Sequence, residues 1–123
     1  MKILLLMLFL HIVDDYYLQG ILASMKQKAW WQKQESYCEK YKYDYIVALI
    51  MHAFSWAFMI TLPFILSKTS ELYIVLTILI NATLHFFIDD LKANKKKINL
   101  IQDQAFHIGQ IMLTWAILFH TLH

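Results

Sequence analysis

Three histidine–aspartate pairs in this sequence have the same spacing of four residues. They are His11 with Asp15, His85 with Asp89, and Asp103 with His107. Residues four apart lie on one face of an α-helix, so each pair would present an imidazole and a carboxylate together. These groups are ligands for zinc, manganese or non-haem iron, and they also form proton relays in membranes. The pattern predicts a divalent metal site or a proton or ion pathway, and the spacing favours the metal.

Other polar residues extend the same faces. His52 is a lone histidine within an apolar stretch, and Gln19, Asn81, Lys92 and Gln110 continue the faces of their segments. Asp14 and Asp90 lie about 100° around the helix from Asp15 and Asp89, and we expect them at the interface or in outer contacts. His120 and His123 fall at the far end of the last segment, where we expect them to be solvated. The predicted metal ligands are His11, His52, His85, Asp89, Asp103 and His107.

The elements that must position these residues are predicted from composition. The chain of 123 residues is 59% hydrophobic and 16% charged, which suits a bilayer better than water. Four stretches are long enough to cross a hydrocarbon core of about 30 Å. We therefore predict an all-α fold, an integral membrane four-helix bundle forming a single transmembrane domain over residues 1–123. The predicted spans are 3–23, 45–67, 72–92 and 100–122, with an interfacial loop and short helix at 24–44.

Lysine distribution predicts the orientation of the bundle. The loops at 24–44 and 93–98 carry most of the lysines, which favours the cytoplasmic side of the inner membrane and places both termini outside. In an up-down-up-down bundle, all the His and Asp pairs then lie in the cytoplasmic half. Polar contacts between membrane helices contribute little, about 0.6 kcal/mol each. Burying this many ionisable groups costs far more, so a functional site is the better explanation.

Composition also excludes some function classes. Cys38 is the only cysteine, so an internal disulfide and a thiol-rich metal site are ruled out. All basic residues are lysines, which lack the bidentate fork of arginine, so we expect no nucleic-acid partner. The expected partners are the lipid bilayer, a lipid-like substrate and further copies of the chain.

Four segments together resemble a bacterial and phage membrane family, DUF3307. They are HIVDDYYLQ at 11–19, the lone His52, HFFIDDLK at 85–92 and DQAFH at 103–107. Tyr16 stands where the family pattern has Phe. The resemblance covers nearly the whole chain and implies a shared polar core that also includes Gln104. A looser similarity to metal-dependent hydrolases of bacterial inner membranes favours hydrolysis, by analogy.

The leading hypothesis is a metal-dependent intramembrane hydrolase acting on a lipid or lipid-linked substrate from the cytoplasmic leaflet. Zinc is the expected ion, with manganese or iron possible, and it would acidify a bound water. Asp15 or Asp89 would be the general base, and Lys92 would steady anionic charge. Gln19, Asn81, Gln104 and Gln110 would contact substrate or support the ligands. The alternatives are an ion, proton or small-solute channel or transporter subunit, and a structural or regulatory protein with a metal staple.

Overall fold

The structure, a computed structural model, describes residues 1–34 and 39–122. Cys38, Tyr37 and His123 lie outside the described residues. The described ranges are helical and contain no β-strand, which confirms the predicted all-α class. The α-helices are α1 (Lys2–Ile12), α2 (Leu22–Met25), α3 (Lys28–Gln32), α4 (Asp44–Ile65), α5 (Glu71–Ala93) and α6 (Leu100–Leu122), with a π-helical turn at Val13–Leu18 and a 3-10 turn at Glu39–Tyr41.

The four long elements form a closed ring. The helix α4 packs on α1 and α5, and α6 packs on α5 and α1. The last three helices begin and end within two residues of the predicted ranges. A capping box opens α6: the Asn99 N–H donates to Gln102 Oε1 at 3.0 Å, and the Gln102 N–H donates to Asn99 Oδ1 at 2.9 Å.

The predicted first helix, 3–23, is wrong in its second half. After Ile12 the chain continues as a π-helical turn, in which the Gln19 N–H donates to the Asp14 carbonyl five residues earlier. Gly20 then takes a positive φ of 48°, a conformation that glycine adopts at least cost, and the helix ends there. The wider π turn changes the direction of each following side chain, so both Asp14 and Asp15 are buried.

The segment after Gly20 folds back over the end of α5. The Lys28 N–H donates to Asn94 Oδ1 at 2.7 Å, and Asn94 Nδ2 donates to the Lys26 carbonyl at 3.1 Å. Asn94 directly follows α5, so the two lysine-rich connections meet at one end of the bundle. We call this the basic end.

The interior of the bundle is divided along its length. At the end opposite the basic end, the core is apolar and its members come from all four long helices: Met7, Trp56, Ala57, Ile60, Phe64, Ile74, Ile111 and Leu118. Toward the basic end, the buried polar residues are histidines, aspartates and a few amides, and the only buried apolar ones there among the described residues are Ala48, Leu49 and Ala53 of α4. We call these the apolar half and the polar half.

Within the described residues, two helical stretches are long and apolar enough to cross a membrane. They are Glu39–Ile65, which contains α4, and Glu71–Ala93, which is α5. The helix α1 is shorter, at 11 residues, and α6 carries several polar residues in its first half, among them Asp103 and His107. Length and composition thus support the predicted spans for two helices.

Candidate metal centre

The polar half gathers histidines and aspartates from every long element of the bundle. Each side chain lies on the inner face of its helix because helical periodicity places i and i+4 together. His52 Nε2 lies 3.2 Å from His85 Nε2 and 3.4 Å from both Asp15 Oδ1 and Asp89 Oδ2. Asp89 Oδ1 lies 3.4 Å from His107 Nε2 and 3.6 Å from His85 Nε2. His107 Nε2 lies 3.2 Å from Asp103 Oδ1. The convergence predicted from the sequence is therefore present.

These spacings match the edges of a coordination polyhedron. Zinc bonds to nitrogen and oxygen at about 2.0–2.1 Å, so two ligands of a tetrahedral ion lie about 3.3–3.4 Å apart. A good N–H···O hydrogen bond is shorter, at about 2.9 Å. The donor atoms here are separated by 3.2 to 3.6 Å. Two overlapping groups could hold a metal ion, Asp15 with His52 and His85, and His85 with Asp89 and His107.

Several of the buried donor atoms have no hydrogen bond. His107 Nε2 and Asp103 Oδ1 are both buried and unpaired although they lie 3.2 Å apart. Their mutual geometry does not make a hydrogen bond, as happens when two groups direct lone pairs at a common point. A buried polar atom without a partner costs free energy, about 1–3 kcal/mol. A cation in this space would satisfy both atoms.

Two lysines bind the Oδ2 atoms of Asp89 and Asp103. Lys26 Nζ lies 2.6 Å from Asp89 Oδ2, and Lys92 Nζ lies 2.6 Å from Asp103 Oδ2. Each carboxylate is thus anchored through Oδ2, while Oδ1 faces His107. Asp103 Oδ2 also accepts from Gln104 Nε2 at 3.2 Å. Charge-assisted bonds of this kind fix the direction of a carboxylate.

His11 belongs to the cluster, but both of its ring nitrogens are occupied. Trp56 Nε1 is a donor only, so its 2.8 Å bond makes His11 Nδ1 an acceptor. His11 Nε2 then carries the proton and donates to Gln104 Oε1 at 3.1 Å. With no nitrogen left for a metal, the predicted ligand role of His11 disagrees with this geometry. The ring instead positions Gln104, which orients Asp103.

Sequence reasoning missed two residues that contact the cluster, Trp56 and Lys26. Trp56 stacks on His85 with ring centroids 4.2 Å apart, and His85 stacks on His107 at the same distance. Trp56 follows His52 by four residues, so helical spacing was a usable signal for it. Lys26 pairs with a residue 63 positions later, and no local pattern indicates that.

Asp14 and Ser55 form a further polar pair beside the cluster. Of the two positions expected for Asp14, the outer contact is the one observed: its side chain is buried rather than interfacial, accepts from Ser55 Oγ at 2.6 Å and lies 3.8 Å from His52 Nδ1. The π-helical turn is the physical reason, since the predicted 100° offset assumed a regular α-helix. Asp90 lies outside the cluster and pairs with Lys95 at 3.1 Å.

The remaining predicted residues support the cluster from outside. Gln110 Oε1 lies 3.5 Å from His107 Nδ1, and its Nε2 donates to the Asn81 carbonyl at 3.3 Å. Asn81 Nδ2 donates to Thr114 Oγ1 at 2.8 Å. These contacts fix the ring so that Nε2 faces the carboxylates. Gln19 donates to the Asp15 carbonyl and lines a cavity at the basic end. His120 is exposed.

Formal charges in the cluster do not balance by themselves. Four buried carboxylates, Asp14, Asp15, Asp89 and Asp103, face two ammonium groups, Lys26 and Lys92. With neutral imidazoles, four negative and two positive charges leave an excess of two negative charges. Unbalanced charge away from water is expensive. One divalent cation would offset this excess, and so would two protons on the imidazoles.

The fold and the cluster define a small helical protein with a buried His/Asp site able to hold a metal ion. The chain belongs to the family described as "Protein of unknown function (DUF3307)", whose sequence model matches residues 3–123. This confirms the family to which the sequence motifs pointed. No curated protein and no solved structure matches the chain, and these comparisons give no support to the looser similarity to hydrolases.

Proposed function

We propose that this protein is a multi-pass protein of the bacterial inner membrane that binds a divalent transition metal in its polar half. The metal centre would hydrolyse a lipid or lipid-linked substrate reached from the basic end. The proposal depends on two buried atoms that could each bind a metal and that have no hydrogen-bond partner, His107 Nε2 and Asp103 Oδ1. They lie within a cluster that has two uncompensated negative charges.

The distribution of polar and apolar surface supports a membrane location. Apolar side chains are exposed on every long helix, including Phe9, Phe54, Leu79 and Met112, while the histidines and aspartates of the cluster are inside. Only 17% of the apolar stretch of α5 is buried, so this helix is not the core helix of a water-soluble fold. Lipid is the solvent that suits such a surface. The lysine-rich basic end would face the cytoplasm, with both termini outside.

The ligands we propose are His52, His85, His107, Asp89 and Asp103. Asp89 lies 3.4 to 3.6 Å from all three imidazoles, and His85 is shared by the two groups that could hold an ion. Three imidazoles and two carboxylates suit zinc, with manganese or iron as alternatives. Since one divalent ion balances the charge of the cluster, we propose one ion per chain.

The residues around the ion would have different roles in hydrolysis. A divalent ion supplies Lewis acidity and an activated water when bound. Asp15 is 8% exposed, more than the other three carboxylates, and it would take the proton from that water. Lys92 reaches from Asp103 to the cavity at the basic end, where its charge would steady an anionic group. Apolar residues of the bundle would exclude bulk water from the centre.

Metal content and thermal unfolding test the proposal together. The full chain, purified in neutral detergent without chelator, should hold about one ion per chain. A ligand present at 100 times its dissociation constant stabilises the folded state by about 2.7 kcal/mol, so chelation should lower the melting temperature. Fewer than about one ion in ten chains, with no response to chelator, would refute the metal centre and the hydrolase with it.

A proton relay is the second candidate function, and one observation favours it. A continuous series of titratable groups runs from Asp15 through His52 and Asp89 to His107 and Asp103, with 3.2 to 3.4 Å between successive side chains. Such chains of polar groups can move protons. A relay needs no ion, so proton flux into vesicles that carry chelator-treated protein would distinguish it from the hydrolase.

A further inference from the structure

A cavity of about 480 Å³ opens at the basic end, directly beside the metal centre. Its walls come from the segment after Gly20 and from the end of α5 with the connection that follows. Asp89, one of the proposed ligands, is part of the wall. A cavity between α4 and α5 is different in kind, because apolar residues such as Phe54 and Phe87 line most of it. The cavity at the basic end is thus the one suited to a polar ligand.

Three lysines line this cavity. Lys26 and Lys92 each use a bond to one buried carboxylate, and an ammonium group has three N–H donors. Each therefore keeps donors for a second partner. Lys96 is exposed and makes no side-chain bond within the described residues. The amides of Gln19 and Gln27 complete the polar wall. Lys26 and Lys92 each offset the carboxylate that they bind, so among the described residues of the wall Lys96 supplies the uncompensated positive charge.

Lys96 is placed in the wall by an unusual backbone conformation. Its φ is 52°, the left-handed region that favours glycine at a helix end. A side chain with a Cβ adopts this conformation at a cost of order 1 kcal/mol. Hydrogen bonds on either side hold the turn, from the Lys95 N–H to the Asp90 carbonyl at 3.0 Å and from the Lys97 N–H to the Leu91 carbonyl at 2.8 Å. The turn brings the ammonium group of Lys96 to the cavity.

We propose that this cavity binds the phosphate group of the substrate. The inference rests on the proposed hydrolase and names its substrate class, a phosphate ester. Ammonium groups on several sides suit a tetrahedral dianion, because lysine binds phosphate as a point charge that needs no single direction of approach. The volume exceeds that of a phosphate alone and leaves room for the esterified group. Water oxygen would bond to phosphorus as the ester P–O bond breaks, leaving one water proton on the alcohol and the other on phosphate.

Titration calorimetry of the full chain in neutral detergent with inorganic phosphate tests the proposal. The wild type should bind phosphate saturably. Lys96→Met should weaken binding about tenfold, the loss expected for one charged hydrogen bond. Lys97→Met is the matched control, since Lys97 is an exposed lysine of the same connection that does not line the cavity. It should change the affinity less than twofold. Absence of saturable binding, or equal weakening by both variants, would overturn the phosphate site.

A second arm separates lipid from soluble sources of the phosphate group. The protein is placed in phosphatidylcholine vesicles with or without phosphatidic acid. Competition by phosphatidic acid against inorganic phosphate supports a lipid headgroup as the ligand, and unchanged affinity supports a soluble phosphate ester.

Metal content measured on the same samples keeps this proposal separate from the proposed function. Lys96 contacts none of the proposed ligands, so Lys96→Met should keep the metal content of the wild type. A wild type without metal that still binds phosphate through Lys96 would refute the metal centre alone. A metal-loaded wild type that binds no phosphate would refute the phosphate site alone.

Discussion

The apolar and polar halves of the bundle interior use the same four helices but differ in what they require. In the apolar half, Met7, Ile60, Phe64 and Leu118 are fully buried and need no partner beyond one another. In the polar half, His107 and Asp103 keep unpaired buried atoms, and the carboxylates outnumber the lysines. Groups that cost free energy in a membrane persist where function needs them. The difference suggests that the apolar half stabilises the fold while the polar half is arranged for a ligand.

The largest expected effect is loss of metal from the polar half. His85→Ala and His107→Ala should each reduce the metal content from about one ion per chain to below a tenth, because each removes a ligand and leaves carboxylates uncompensated. Elemental analysis of the purified variants measures this. Chelator should then have little further effect on their melting temperatures.

His120→Ala is the control for these two variants. His120 lies on α6 with His107, but it is exposed and at the other end of the helix. It should keep the metal content of the wild type. Full metal content in His107→Ala would show that the unpaired Nε2 of His107 is not a metal ligand.

A smaller effect, on stability and not on metal content, should distinguish the apolar half from the polar half. Phe64→Ala removes a fully buried ring from the apolar half and should destabilise the protein by about 3 kcal/mol, the low end for loss of a buried phenylalanine ring. Thermal unfolding in detergent measures the change. The metal content of the folded fraction should stay unchanged, because the ring contacts no ligand.

Phe58→Ala is the matched control on the same helix. Phe58 is 40% exposed on the outer face of α4, and its loss should cost less than half as much. If Phe64→Ala emptied the metal site, the two halves would be one cooperative unit and the comparison would fail.

The smallest effect concerns a contact at the edge of the polar half. Gln104 bonds to both His11 and Asp103, so Gln104→Met should weaken metal affinity about tenfold without emptying the site. Competition with a metal-binding dye gives the affinity. Gln102→Met is the control: Gln102 caps α6 and lies outside the cluster, so its variant should lose some stability but no metal affinity. Equal metal affinities for Gln104→Met and the wild type would show that Gln104 does not support the metal site.

Much of the polar half was predictable because helical periodicity is a local property. The i, i+4 pairs of α5 and α6 and the lone His52 lie on inner faces as expected, since these helices are regular from end to end. The prediction was weaker for the first segment. There, the π-helical turn and Gly20 interrupt the period, and the burial of Asp14 follows from that interruption.

The sequence by itself determined the last three helices, their inner faces and most of the residues that converge. These follow from hydrophobic pattern, capping and spacing, which act over a few residues. Only the tertiary structure decided which atoms are free. His11 is occupied by Trp56 and Gln104, Asp89 is held by Lys26, and Lys96 reaches the cavity through a left-handed turn. These contacts join residues from distant parts of the chain, and their distances depend on how the helices pack, which no local pattern specifies.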